Sequence, residues 1–445
     1  MSVASVGRAG RDHALVAAGV AGIGLVVGVV VWSATRFSYD TWGGLVIAPL
    51  VFTISLPLLN RVVRVEDPRI VRLMAWGLVF KLAASFARFL MAFVLYDTAD
   101  AIGYVGAGTK LSALFRQGIF TLEPGVSVIG TYFMKIVTGV VFTFIGPTKL
   151  GGFVVFSWLA FWGLYLFYRA FRIGVPNGDH RRYALLVFFL PSLLFWPSSI
   201  GKDAWMILML GLSAYGVAHI LTRNVRGYPL LCLGLLGVTM VRPHMSALVC
   251  CGMTLSSLVR RSPEQRTRFG PLPRVIGIVV LVAVSVVVIT QAERFFGVEG
   301  QEGAQGVNAV LATTQKNSTQ GGSEYEVTPV RSPVQLPWAT VTILFRPFPF
   351  EAHNVQSLIA SIEGLALMGV AALSWPRFVM LPSQLRRNPY LTFAAVYSLL
   401  FVVAFSNIGN FGILTRQRAQ LFPFALVFFA LPVTKVRTGS WRAKN

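Results

Sequence analysis

Phe345-Arg346-Pro347-Phe348-Pro349-Phe350-Glu351-Ala352-His353-Asn354 stands immediately before an apolar segment that opens at Val355. An arginine, a glutamate, a histidine and an asparagine are thus gathered at the mouth of a lipid-compatible run. Pro347 and Pro349 stop the preceding backbone from continuing as helix, which leaves these polar groups on an irregular elbow. In lipid such an elbow persists only at the interface or where it lines a protein cavity, because unpaired backbone groups are costly there. The fold therefore turns on whether the surrounding chain is membrane-embedded.

Composition answers that. The 445 residues are 55% hydrophobic and only 13% charged, with a mean hydropathy of +0.67. Soluble domains carry roughly 25% charged residues, so the expected class is an all-α polytopic membrane protein. The formal charge of +22 would suggest nucleic acid in a soluble protein. Here most arginines lie between apolar runs and read as topological anchors, so no nucleic-acid partner is expected. Cys232, Cys250 and Cys251 fall inside apolar segments without metal-type spacing, which points to neither disulfides nor zinc. Arg8 and Arg11 precede a long apolar stretch that lacks a small-residue cleavage site, so the N-terminus reads as a first span.

Apolar spans are expected at 14–32, 42–60, 71–95, 148–168, 183–199, 204–221, 228–241, 245–259, 275–291, 355–374, 390–406 and 419–433. Several are shorter than the roughly 20 residues of a perpendicular crossing, and 228–241 with 245–259 reads equally as one bent hairpin. Placing Arg8 and Arg11; Arg61, Arg64, Arg69 and Arg72; Arg169, Arg172, Arg181 and Arg182; and Arg223 and Arg226 on one side fixes the orientation. Arg260 to Arg274, Arg377, Arg386, Arg387 and the Lys435–Lys444 tail share that side, which makes both termini cytoplasmic in a plasma (inner) membrane. Val126–Ile145 contains Lys135, and counting it as a full span would send Arg169 to Arg182 outside; it is read as re-entrant or interfacial. The chain is then one integral membrane domain, 1–445, with an external loop at 97–147 carrying that helix and a large external loop at 293–353. The stretch Gly300–Gly322, rich in Gly, Gln, Ser and Thr, reads as mobile.

Five polar clusters fall on the external side of this scheme. Asp97 and Asp100, three apart, share one face of a helical turn and suit a general base or a cation, or else simply cap a helix. Pro197 and Gly201 break a helix, Ser198 or Ser199 is placed to cap the next one, and Lys202-Asp203 opens it, offering free N–H groups to a phosphate. Arg242 and His244 sit between two apolar runs with no loop to solvate them, and intramembrane charge of that kind marks function by default. The elbow contributes Arg346, Glu351, His353 and Asn354, with Glu363 about two turns into the next span; in the blander reading Arg346 only pairs with Glu351. In Asn407–Pro423, Asn410 precedes Arg416 and Arg418, which break the positive-inside bias and argue for an anionic partner gripped by guanidinium forks. Two aspartates are too few to define a divalent-metal site, and no cofactor is expected.

The blocks FWPSSIGKDAW (Phe195–Trp205), VRPH (Val241–His244), LFRPFPFEAHN (Leu344–Asn354) with Glu363 beyond, and NIGNFGILTRQR (Asn407–Arg418) resemble a set of actinobacterial-type membrane proteins. Those in turn resemble polysaccharide repeat-unit (O-antigen-type) polymerases and, more distantly, GT-C-type glycosyltransferases. The likeness covers roughly residues 85–430. It implies an enzyme that uses polyprenyl-(pyro)phosphate-linked sugars as donor and acceptor at the outer face. It also implies that Asp97 or Asp100 is the base and that Arg346, Arg416 and Arg418 bind the lipid-linked substrate. Arg242 and Lys202 join them as phosphate ligands on charge alone. The rival readings are a flippase of lipid-linked oligosaccharide, an envelope ligase or acyltransferase, and a non-catalytic member of an envelope-assembly complex. A flippase is expected to show polar residues in both halves of the bilayer and two-fold repeats.

Overall fold

In hydrocarbon, a segment must satisfy every backbone group within itself, and a helix does so. The computed structural model describes residues 27–63, 67–95, 99–120, 125–259, 332–352 and 355–432, with residues 22, 24, 25, 325 and 330 besides, and among them no β-strand. Asp97, His353 and Asn354, the stretch Gly300–Gly322 and the expected span at 275–291 lie outside the described residues, as does most of 14–32.

The helices are α1 (Tyr39–Val63), α2 (Pro68–Leu90), α3 (Ala99–Arg116), α4 (Thr131–Ile145), α5 (Lys149–Gly174), α6 (His180–Phe189), α7 (Pro191–Phe195), α8 (Lys202–Leu221), α9 (Gly227–Thr239) and α10 (Pro243–Val259). They continue with α11 (Leu336–Phe345), α12 (Val355–Leu373), α13 (Trp375–Val379), α14 (Leu381–Leu385), α15 (Pro389–Phe405), α16 (Phe411–Gln417) and α17 (Phe422–Phe429). Five of these, α1, α2, α5, α8 and α12, are long and apolar enough to cross a membrane. Among the described residues the architecture is thus that of a helical membrane protein.

Burial separates inner helices from outer ones. In α5 and α8, 67% and 72% of the membrane-length window is buried inside the bundle, against 28% in α12. The phenylalanines of α5 (Phe153, Phe156, Phe161, Phe167 and Phe171) are fully enclosed, whereas Leu50, Trp76, Leu236 and Ile362 face outward on other helices. That outward apolar surface is what a lipid-facing wall needs, since lipid tails leave no reason to hide it. α5 packs against α8, α1 and α2, and α8 packs against α9. The α5–α8 crossing depends on two glycines: a Cβ on Gly211 would sit 2.3 Å from the Gly163 carbonyl oxygen, and one on Gly163 would sit 2.5 Å from that of Ile207.

The structure differs from the sequence reading at three places. The run 183–199 is broken between α6 and α7, because Pro191 has no N–H to continue the ladder. Neither Ser198 nor Ser199 caps α8; its N-cap is Gly201 with no side-chain bond, and Ser198 Oγ turns back to the Leu194 carbonyl while accepting from Ser157 Oγ at 3.1 Å. Within the expected external loop 293–353, α11 is an apolar helix with Ala339, Thr342, Ile343, Leu344 and Phe345 buried. The Phe345 carbonyl lies against Gly364, nine residues past the first residue of α12, so the chain must run back roughly 14 Å to enter α12. The stretch Val126–Ile145, read as re-entrant or interfacial, contains α4, which packs against α3.

Candidate functional site

The polar groups that the chain carries into its apolar bundle collect in two neighbouring layers. The first is built around Asp203, in the first turn of α8, whose side chain is only 4% exposed. Arg416 donates from Nε to Asp203 Oδ2 and from Nη1 to Asp100 Oδ2 at 3.1 Å. Arg242, at the tight α9–α10 turn, donates from Nη2 to Asp203 Oδ1 at 3.4 Å and from Nη1 to Gln417 Oε1. Asp100 differs from Asp203 in being 64% exposed. It opens α3, and Tyr104 one turn on is buried, which pushes its phenol up to about 12, Asp100 adding to the shift. Lys202 donates to Thr131 Oγ1 at 3.0 Å and lies within electrostatic range of both aspartates.

The second layer holds Arg418, fully enclosed. Its Nη2 lies 3.6 Å from Glu363 Oε2, and its Nη1 donates to the Arg346 carbonyl at 2.5 Å. Glu363 also accepts from the Ser192 backbone N–H at 2.8 Å and from the Ser192 hydroxyl, thereby capping the free N-terminus of α7 from another helix. Arg346 donates from Nε to Glu351 Oε1 at 2.9 Å and Oε2 at 3.1 Å, and Glu351 accepts as well from the Phe348 N–H at 2.8 Å. The Arg346 guanidinium lies over Tyr325 at 4.7 Å, and Tyr325 stacks on Phe411 at 4.3 Å.

One short segment connects the layers. α16 tightens into a 3-10 turn at Arg418–Gln420, and the change of pitch sends successive side chains to different neighbours. Arg416 goes to the aspartates and Gln417 to Arg242, while Arg418 goes to Glu363. Gln420 Nε2 returns to Gln417 Oε1 at 2.9 Å. Asn410 starts the segment by capping α16, accepting from the Ile413 N–H at 3.1 Å.

Of the residues expected at the site, Asp100, Lys202, Asp203, Arg242 and Arg416 come together. Arg346 and Glu351 form the tight pair of the blander reading, and His244 is half-buried on α10 beside Phe405. Arg418, expected to reach a phosphate, is enclosed and directed at Glu363 and backbone carbonyls. Two cations were missed. Lys81, fully buried on α2, donates to the Leu193 and Leu194 carbonyls at 2.7 and 3.1 Å, and Arg88, seven residues on, lies over Phe195 and Trp196. Their signal was a basic residue inside an apolar span, which is costly and so marks a role.

At the opposite ends of α5 and α6, a separate group pairs Asp179 with Arg377 at 3.1 Å and Arg182 with the Ser374 hydroxyl at 2.7 Å. Among the described residues, no group of three His, Cys, Asp or Glu side chains is placed to hold a metal ion. No family model, no curated protein and no solved structure matches this chain.

Proposed function

We propose that the chain is a multi-pass enzyme of the plasma membrane, a glycosyltransferase or polysaccharide polymerase acting on polyprenyl-(pyro)phosphate-linked sugars at the outer face. The topology that goes with this reading has about twelve crossings, both termini in the cytoplasm, and the Asp203 layer facing outward. The observation that carries it is the shared guanidinium of Arg416, which joins a buried aspartate to an exposed one at the edge of a cationic cluster. Asp203, held by two guanidiniums, is a fixed counter-charge and a poor proton acceptor. Asp100, mostly open to solvent, presents its carboxylate to an incoming acceptor.

In this mechanism the acceptor hydroxyl gives its proton to the Asp100 carboxylate as its oxygen attacks the anomeric carbon. The bond from that carbon to the lipid phosphate breaks, and the leaving phosphate takes the electron pair. Arg242, Arg416 and Lys202 face the charge that develops there, lowering the barrier more than they stabilise the bound substrate.

The test uses the full chain in nanodiscs with a polyprenyl-diphosphate-linked oligosaccharide. Asp100→Asn is expected to lower turnover by about 100-fold or more, the range for loss of a general base, while the lipid-linked substrate still binds. Full turnover in that variant would remove Asp100 from the role. Lack of product from the unaltered protein, with labelled substrate carried across the bilayer instead, would favour a flippase.

A further inference from the structure

Among the described residues, Arg88 is the one guanidinium of the Asp203 layer without a hydrogen bond or ion pair. Arg416 and Arg242 each direct two guanidinium nitrogens at Asp203, Asp100 or Gln417. Arg88 makes no hydrogen bond or ion pair among the described residues, and its Nε is buried without a partner. It still lies within electrostatic range of Arg416, Asp203 and Asp100. Aromatic faces hold it: its carbon Cζ is 5.0 Å from the Phe195 ring centre and 4.9 Å from that of Trp196. An aromatic contact steadies the charge without consuming the donor fork. A buried polar group without a partner needs an explanation, and a cation in an apolar helix more so. With Lys202, the described residues of the layer include four cations, Arg88, Lys202, Arg242 and Arg416, against two carboxylates, Asp100 and Asp203. The surplus of positive charge matches an anion of one to two charges, and the free fork matches two oxygens of a phosphate.

We infer that Arg88, seated on Phe195 and Trp196, is a primary ligand for the diphosphate of an isoprenoid-linked substrate. Arg242 and Arg416 frame that site from their aspartate-bound positions. The last turn of α2 supplies the residue, and the helix widens to a π-turn at Met91–Leu95 directly after it. π-turns inside α-helices recur at functional positions because they re-aim the side chains around them.

The inference rests on the proposed transfer reaction and is tested apart from it. Geranylgeranyl diphosphate and the uncharged alcohol geranylgeraniol serve as probes, titrated into the full chain in nanodiscs with intrinsic tryptophan fluorescence as readout. Arg88→Gln is expected to weaken diphosphate binding by about tenfold or more, the worth of a hydrogen bond to a charged group, and to leave alcohol binding unchanged. Arg88→Lys keeps the charge and loses the fork, so an intermediate loss is expected. Unaltered diphosphate affinity in Arg88→Gln, or in Arg88→Lys if the first variant does not fold, overturns the role of Arg88. If Arg416→Gln alone then loses the diphosphate, the transfer reading stands without Arg88. Equal affinity of the unaltered protein for diphosphate and alcohol overturns both.

Discussion

Arg418 and Glu363 meet inside the bundle with side chains 0% and 5% exposed. Removing one partner of such a pair strands the other charge, at a cost of about 3–5 kcal/mol. Glu363→Gln is therefore expected to lower the unfolding temperature in detergent sharply, and Arg418→Met added to it is expected to restore part of the loss. A double variant whose loss equals the sum of the single losses would show that the two residues do not act as a pair. At this scale the sequence was legible where charge interrupts an apolar run at a turn, as at Lys202, Asp203 and Arg242. It was less so inside α2, where Lys81 and Arg88 were absorbed into a hydrophobic average. The inward course of Arg418 was hidden as well, because its direction depends on a local change of helical pitch that residue types do not announce.

Elements reveal a different dependence. α5 and α8 approach until Gly163 and Gly211 touch through backbone, and a side chain at Gly211 has no room. Gly211→Val is expected to cost about 1–3 kcal/mol or more by forcing the helices apart, read as a lower unfolding temperature. Gly369 on α12 has nothing within 4 Å of its would-be Cβ, so Gly369→Ala is the control. It is expected to be neutral or to stabilise by about 0.5–1 kcal/mol. An unchanged melting temperature for Gly211→Val would rule out tight backbone contact at that crossing. The long apolar runs announced α1, α2, α5, α8 and α12 directly. α11 was hidden because ten residues reach only about 15 Å, too short to register as a span, and its burial comes from neighbours far along the chain.

Taken whole, the molecule separates the Asp100–Asp203–Arg416 layer from the Asp179–Arg182–Arg377 group, with α5 and α8 between them. Under the proposed orientation the first layer faces outward. Lys110 and Arg223 are both exposed and sit on the two opposing sides of that scheme. In a background freed of Cys232, Cys250 and Cys251, Lys110→Cys is expected to react with a membrane-impermeant maleimide on intact cells. Arg223→Cys is expected to react only after permeabilisation. The reverse pattern would invert the topology and remove the outer-face assignment. Arginine placement is what the proposed orientation rests on, whereas the meeting of α3, α8 and α16 was not legible in the sequence, since Asp100 and Arg416 stand 316 residues apart.

The segment Arg416–Gln420 also has a consequence for how the chain tolerates altered length. Its side chains are committed in turn to α3 and α8, to Arg242, to Glu363 and to one another. Inserting one residue would rotate everything after it by about 100°, so every later side chain in the segment would miss its partner at once. A deletion would do the same in the other sense. Substitutions there fail one contact at a time, but a change in residue count breaks the register that both polar layers share.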